Sequence, residues 1–207
     1  MTPELVVFDI GMVLLNWDPD GFYDRAIGPE ARQRLFAEVP LSEANESIDN
    51  GAPWHETIEA LAADHPEWSH EILAWRDHWH LMATPLIPDS VHLLRELRGR
   101  GIACWALTNF GRETFDLAQE LYPPLAEFDG TIVSGRLKLM KPDPAIYEAL
   151  EEASGVSGDR ILFTDDRAEN IAAAADRGWR THLFTHSAGF AARLQAEGLL
   201  PADALRP

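Results

Sequence analysis

The sequence predicts an α/β fold, a doubly wound, Rossmann-like parallel sheet with an all-helical module inserted near its start. Three observations carry this. A short apolar run, Leu5-Val6-Val7-Phe8, ends in Asp9 as a buried strand ends in a carboxylate. From about residue 90 onward, apolar strand-sized runs alternate with segments of helical periodicity, the mark of a parallel sheet covered on both faces. Between them, residues 16–84 contain no strand signal and interrupt the alternation.

Within that interruption, residues 31–39, 52–63 and 71–81 carry apolar side chains at three- and four-residue spacing, as helices with one buried face do. Pro85, Pro88 and Asp89 mark the return to the core, and Asp89 is expected to cap a helix over 90–100 that stops at Gly101. The order that follows is strand 102–107, helix 112–120, strand 130–134 and helix 144–153. Strand 160–164, helix 167–177, strand 180–184 and a last helix near 187–197 complete it. The expected division is therefore a core of 1–15 and 85–207 with a helical cap of 16–84.

The 207 residues suffice for one core plus a small inserted unit. No apolar run approaches the ~20 residues of a membrane helix, and no signal peptide is visible after Met1, so membrane partners are not expected. The lone Cys104 cannot form an internal disulfide, which fits a reducing, cytoplasmic setting. A net charge of −17 argues against nucleic acid, whose phosphates need clustered Lys and Arg. The sequence leaves the oligomeric state open.

In open parallel sheets, ligands bind beyond the carboxyl ends of the strands. The polar residues that leave the apolar strands are Asp9 after the first, Thr108-Asn109 after the second, and Asp165-Asp166 after the fourth. Lys141, just ahead of Pro142-Asp143-Pro144, can approach the same edge. A carboxylate can attack phosphorus to form an aspartyl-phosphate, and a Mg²⁺ ion can hold two anions together while it does so. Lys141 would place charge on the equatorial oxygens, and Thr108 with main-chain N–H groups would donate hydrogen bonds.

These segments resemble the haloacid-dehalogenase-like superfamily over nearly the whole chain. Phe8-Asp9-Ile10-Gly11-Met12-Val13 is similar to its first motif, Leu107-Thr108-Asn109 to its second and Met140-Lys141-Pro142-Asp143-Pro144 to its third. Leu162-Phe163-Thr164-Asp165-Asp166 is similar to its fourth. The resemblance implies a nucleophile at Asp9 and catalysis by Asp9 with Lys141. It implies Mg²⁺ held by Asp9, the carbonyl of Gly11 and Asp166, and phosphate held by Thr108, Asn109 and Lys141. Asp165 is given a supporting role behind the metal, and Asn170 the task of orienting Lys141 or a metal-bound water. The third motif resembles the branch with a helical, C1-type cap, and the Asp-x-Gly start resembles its sugar-phosphate phosphatases. The implied activity is hydrolysis of a small phosphorylated metabolite, such as a sugar phosphate.

One position departs from the family pattern. A second Asp, serving as general acid and base, usually stands two residues after the nucleophile, and here that residue is Gly11. Gly11 leads to the expectation of a substrate with a good leaving group, such as an anomeric phosphate. Two rivals remain: a metal-free haloacid dehalogenase, against which the acidic pair speaks, and a catalytically impaired binding protein. A phospho-receiver domain is excluded because its acidic pair precedes its lysine.

Several residues have plainer readings. Trp54, Trp68, Trp75 and Trp79 are expected to pack the helices of the cap, and Trp105 and Cys104 to be core. His78 and His80, two apart on a helix, do not share a face and are not expected to bind zinc. Arg112 and Arg167 are equally readable as anion contacts or as surface residues at helix starts.

Overall fold

The computed structural model describes residues 2–201. Five parallel strands, β1 (Leu5–Phe8), β2 (Ala103–Thr108), β3 (Gly130–Val133), β4 (Ile161–Asp165) and β5 (Arg180–Leu183), form one sheet in the order β3-β2-β1-β4-β5. The switch point falls beside β1, the strand that opens the chain. Every residue of β1 is buried, because helices cover both faces of the sheet. Alternate side chains supply two cores. Val6, Phe8, Cys104, Ala106 and Leu162 face one way, while Leu5, Val7, Leu107, Ile161 and Phe163 face the other.

Six α-helices make up the insertion that follows β1. They are α1 (Pro19–Ile27), α2 (Pro29–Glu38), α3 (Leu41–Asp49), α4 (Trp54–Asp64), α5 (Ser69–Asp77) and the single turn α6 (Trp79–Met82). The chain leaves and returns side by side: Asn16 N donates to Pro85 O (3.1 Å), Asp18 N to Met82 O (2.9 Å) and Ile87 N to Leu14 O (2.8 Å). The remaining helices are α7 (Pro88–Gly99), α8 (Arg112–Leu121), α9 (Ser134–Leu137), α10 (Pro144–Ser154), α11 (Ala168–Asp176) and α12 (Ser187–Ala196). Of these, α10 and α11 cover the second core, where Ile146, Tyr147, Leu150 and Ala174 meet the strands.

Some local expectations need correction. Asp89 is not the cap of α7. Pro88 opens the helix, because its fixed φ and missing N–H suit the first helical position, and Asp89 falls in the first turn. The helix expected over 71–81 is broken at His78, which takes non-helical angles (φ −119°, ψ 20°), and α6 then carries Trp79 against the Phe110 ring at 5.8 Å. Trp105 is only half-buried: it lies flat over its neighbour in β3, where a Cβ on Gly130 would stand 2.4 Å from the indole.

Trp54, Trp75 and Trp79 are buried as expected, and Trp68 is partly so, with its indole N–H donating to Glu38 at 2.7 Å. Cys104 is buried, and desolvation pushes its thiol up to about 12, so it stays protonated and inert. Among the described residues no helix is long and apolar enough to cross a membrane.

Candidate active site

The strand register brings the polar ends together. Phe8 pairs with Ala106 on one side and Thr164 on the other, so one step further Asp9 stands level with Leu107 and Asp165. Asp9 N donates to Thr164 O at 2.9 Å, which extends the sheet by one bond and fixes the residue at the rim.

Lys141 reaches this rim from the loop before α10. Its ammonium is buried and its three protons are all engaged, by Leu107 O at 2.9 Å, Asp9 Oδ1 at 2.9 Å and Asp165 Oδ2 at 2.6 Å. Burial works against the charge, but the two carboxylates outweigh it and hold the Lys141 pKa above its ordinary value. Its main chain is fixed too. Asn109 donates from Nδ2 to Lys141 O (2.9 Å) and accepts at Oδ1 from Lys141 N (2.8 Å). The Asn109 side-chain amide thus clamps Lys141 with its oxygen and one of its two N–H bonds, leaving the second N–H and the main chain for an anion.

Asp165 is fully buried, and both of its oxygens are taken. Oδ1 accepts from Arg167 N (2.8 Å) and Asn170 Nδ2 (3.0 Å), while Oδ2 accepts from Lys141 and again from Asn170 Nδ2 (3.0 Å). Asn170 therefore touches Asp165, which in turn holds Lys141. The expected action of Asn170 on Lys141 runs through that carboxylate.

The two donors that reach Asp9 among the described residues, Ile10 N at 2.7 Å and Lys141, both fall on Oδ1. Oδ2 keeps its lone pairs for an incoming group. Desolvation pushes the Asp9 carboxyl up to about 7, with Lys141 opposing and Asp165 adding to the rise. Asp166 is half-buried and is raised as well, first by desolvation and then by Asp165. Oxygens of Asp9, Asp165 and Asp166 lie within 4.8 Å of one another. When all are ionised, three carboxylates against one ammonium leave two negative charges in excess, and repulsion from Asp165 adds to the rise that desolvation causes in Asp9 and Asp166. That donor set fits a divalent, oxygen-seeking ion, with Asp9 and Asp166 as the carboxylates free to bind it. It is the one candidate metal cluster among the described residues, and no histidine belongs to it.

These groups open into a cavity of about 500 Å³ between the sheet edge and the helical insertion. Asp9, Gly11, Asn109, Lys141, Asp166 and Asn170 line it. Thr108, 1% exposed at the end of β2, and Asp165 lie behind its wall. Arg167 lines the cavity, whereas Arg112 is exposed and paired with Glu113 at 2.8 Å. The far wall belongs to residues that the sequence did not single out: Trp17, Ser42, Asn45, Glu46 and Asp49. Of the tryptophans assigned to packing, Trp79 also reaches the cavity. No motif marks these positions, because the face that α3 turns inward is set by how the helices pack.

Comparison with known proteins places the arrangement. The model of the haloacid dehalogenase-like hydrolase family matches residues 4–178. A sesquiterpene phosphatase of Aspergillus oryzae is 28% identical over 181 residues, covering 84% of this chain and 85% of its own. A haloacetate dehalogenase of Moraxella is 31% identical over 93 residues, covering 45% of this chain and 42% of its own. Among solved structures, a predicted HAD-like family hydrolase from Porphyromonas gingivalis superposes with a TM-score of 0.70 at 19% identity, over 95% and 98% of the two chains. A HAD family enzyme from Bacteroides thetaiotaomicron, in complex with magnesium and inorganic phosphate, gives 0.67 at 18% identity over 89% and 95%.

Proposed function

The chain belongs to the haloacid dehalogenase-like hydrolase family, and from that membership we propose that it is a phosphatase, hydrolysing a phosphomonoester of a small metabolite through a phosphorylated Asp9. The observation that carries this reading is the charge excess at the rim. Asp9, Asp165 and Asp166 face a single Lys141, and a phosphate entering there meets net repulsion unless a divalent cation accompanies it. A dehalogenase attacking carbon brings in a carboxylate of single charge rather than a phosphate of up to two, and its need for such a cation is smaller.

Asp9 and Asp166, with the Gly11 carbonyl, would hold Mg²⁺. When bound, the ion neutralises the phosphoryl oxygens and lowers the Asp9 pKa. Asp9 Oδ2 attacks phosphorus, the ester P–O bond breaks, and water then cleaves the phospho-aspartate. Lys141, held by Asp9 and Asp165, faces the equatorial oxygens, with Asn109 beside it on the floor and Thr108 supporting that floor from behind. Asn170 and Asp165 keep the ammonium in place, and the insertion of 16–84 acts as a cap that screens the site and selects the substrate. The cavity wall mixes Trp17, Trp79 and Phe110 with Ser42 and Asn45, so the substrate body offers both an apolar face and polar groups, as a sugar ring does.

The test is a panel of sugar, prenyl and alkyl phosphates with Mg²⁺, run beside 2-haloacids. Phosphate release that is lost in EDTA and restored by Mg²⁺ is expected. Halide release that EDTA leaves untouched would show the dehalogenase instead. Binding of a phosphate ester without turnover would reduce the protein to a receptor.

A further inference from the structure

We propose that Asp49, at the end of α3 in the helical insertion, is the general acid and base of this reaction, replacing the aspartate that the family carries two residues after its nucleophile. The inference rests on the phosphoryl-transfer reading above.

Alkoxide is a poor leaving group, and water is a poor nucleophile toward a phospho-aspartate. Each step gains from a carboxyl group that gives a proton and then takes one back, typically ~10²–10⁴-fold. Gly11 supplies none. A Cβ built on Gly11 would meet nothing within 4 Å, so open space stands where a side chain would otherwise be. Asp49 lines the same cavity as Gly11 and Asp9.

Asp49 is also held in place. Its main-chain carbonyl accepts from Ser134 Oγ at 2.5 Å, and that same oxygen accepts from Phe110 N at 2.8 Å. The last turn of α3 is thereby tied to the loops that follow β2 and β3, on the sheet side of the cavity. Asn45 Nδ2 donates to Asp49 Oδ2 at 3.0 Å. The orientation of that amide is set by the Trp75 indole, which can only donate, to Asn45 Oδ1 at 3.3 Å. A carboxyl held in place within the cavity that also holds the nucleophile is what a proton shuttle needs.

Its electrostatic surroundings suit the task. Among the described residues no Lys or Arg forms an ion pair with Asp49, unlike Asp9 and Asp165, which share Lys141. Burial pushes its carboxyl up to about 7, a hydrogen bond from the Gly111 main chain opposes this, and Glu46 on the same helix adds to it. A group so poised exists in both protonation states at neutral pH.

The proton ledger closes. Protonated Asp49 gives its proton to the leaving oxygen as the ester P–O bond breaks and the Asp9–phosphorus bond forms. The Asp49 carboxylate then takes a proton from water as that oxygen attacks phosphorus and the Asp9–phosphorus bond breaks. An activated leaving group is no longer required of the substrate.

Asp49→Asn and the double variant Asp49→Asn, Gly11→Asp test this with Mg²⁺, 4-nitrophenyl phosphate and glycerol 2-phosphate, read by rapid mixing. Nitrophenolate needs no proton to leave. The single variant should therefore release one equivalent in a burst near the wild-type rate, followed by turnover slowed about 10²-fold or more. With the alkyl ester the burst itself should vanish. Gly11→Asp should restore at least about tenfold of the lost turnover, which a folding defect would not allow. Equal losses on both esters without a burst, or unchanged turnover, would overturn the role of Asp49. If wild-type protein forms no phospho-Asp9 with either ester, the phosphatase reading fails, and this inference with it.

Discussion

Replacing Asp9 by Asn should abolish turnover and at the same time make the metal-free protein more stable. The Asn Oδ1 can keep both bonds that Asp9 Oδ1 makes, from Ile10 N at 2.7 Å and Lys141 Nζ at 2.9 Å. What disappears is the cost of a buried charge. A carboxyl raised from 3.8 to about 7 is destabilised, when ionised, by roughly 4 kcal/mol at about 1.4 kcal/mol for each pKa unit. The sign follows from proton counting. Between the two values the folded state holds a proton that the unfolded state has lost, so the Asp9 contribution to stability falls as pH rises from about 4 to about 7 and is flat above. The raised value already contains the opposing attraction of Lys141, so the gain at pH 8 is expected at up to about 4 kcal/mol. For a chain of this size that is a rise in Tm of about 2–4 °C per kcal/mol. Urea unfolding in EDTA from pH 4 to pH 8 measures it: the gap between the two proteins should be smallest at pH 4 and widen up to about pH 7. A variant no more stable than wild type at pH 8, with the same pH slope, would refute the electrostatic account. Retained turnover would remove the nucleophile.

Other perturbations reach neighbouring parts of the same site. Lys141→Ala leaves Asp9 and Asp165 without their shared cation, and should lose about 3–5 kcal/mol of stability in EDTA and at least about 10² in kcat. Calorimetric titration with Mg²⁺ should show binding lost in Asp166→Asn, while Asn170→Ala, which only supports Asp165, should weaken it about 10–100-fold. Gly135→Ala would place a Cβ 2.6 Å from Arg112 N and 2.8 Å from Phe110 O, both main chain, so thermal melting should show a marked drop. A neutral Gly135→Ala would mean that the contact between the β2 and β3 loops yields easily.

Much of the core was legible in the chain itself. Leu5–Phe8 is apolar at every position because β1 is buried on both faces, and Asp9 then breaks the run where the sheet ends. Helix α7 and the strands beside it follow from local periodicity and from Gly and Pro at the joints. The boundaries that failed did so for tertiary reasons. His78 interrupts a helix whose pattern continues through it, because Trp79 turns to pack on Phe110. Trp105, apolar and mid-strand, comes to lie half in solvent because Gly130 leaves it room to lie flat.

The same division runs through the site. Asp9, Lys141, Asp165 and Asp166 announce themselves because a parallel sheet forces the residues after its strands to one edge, whatever the helices do. Their partners do not. That Asn109 clamps the Lys141 main chain, and that Asn170 holds Asp165, are matters of which side chains come within 3 Å. Asp49 shows the limit most clearly. Nothing in Ser47-Ile48-Asp49-Asn50-Gly51 distinguishes a helix-end carboxylate in solvent from one lining a cavity. The sequence places residues 41–49 only within a helical insertion and does not single out α3 as a helix. Only the packing of that helix against the β2 and β3 loops, through Ser134 and Gly111, decides that its last acid faces the cavity. Local propensity acts over a few residues, whereas the direction a helix faces is set by contacts made with distant parts of the chain.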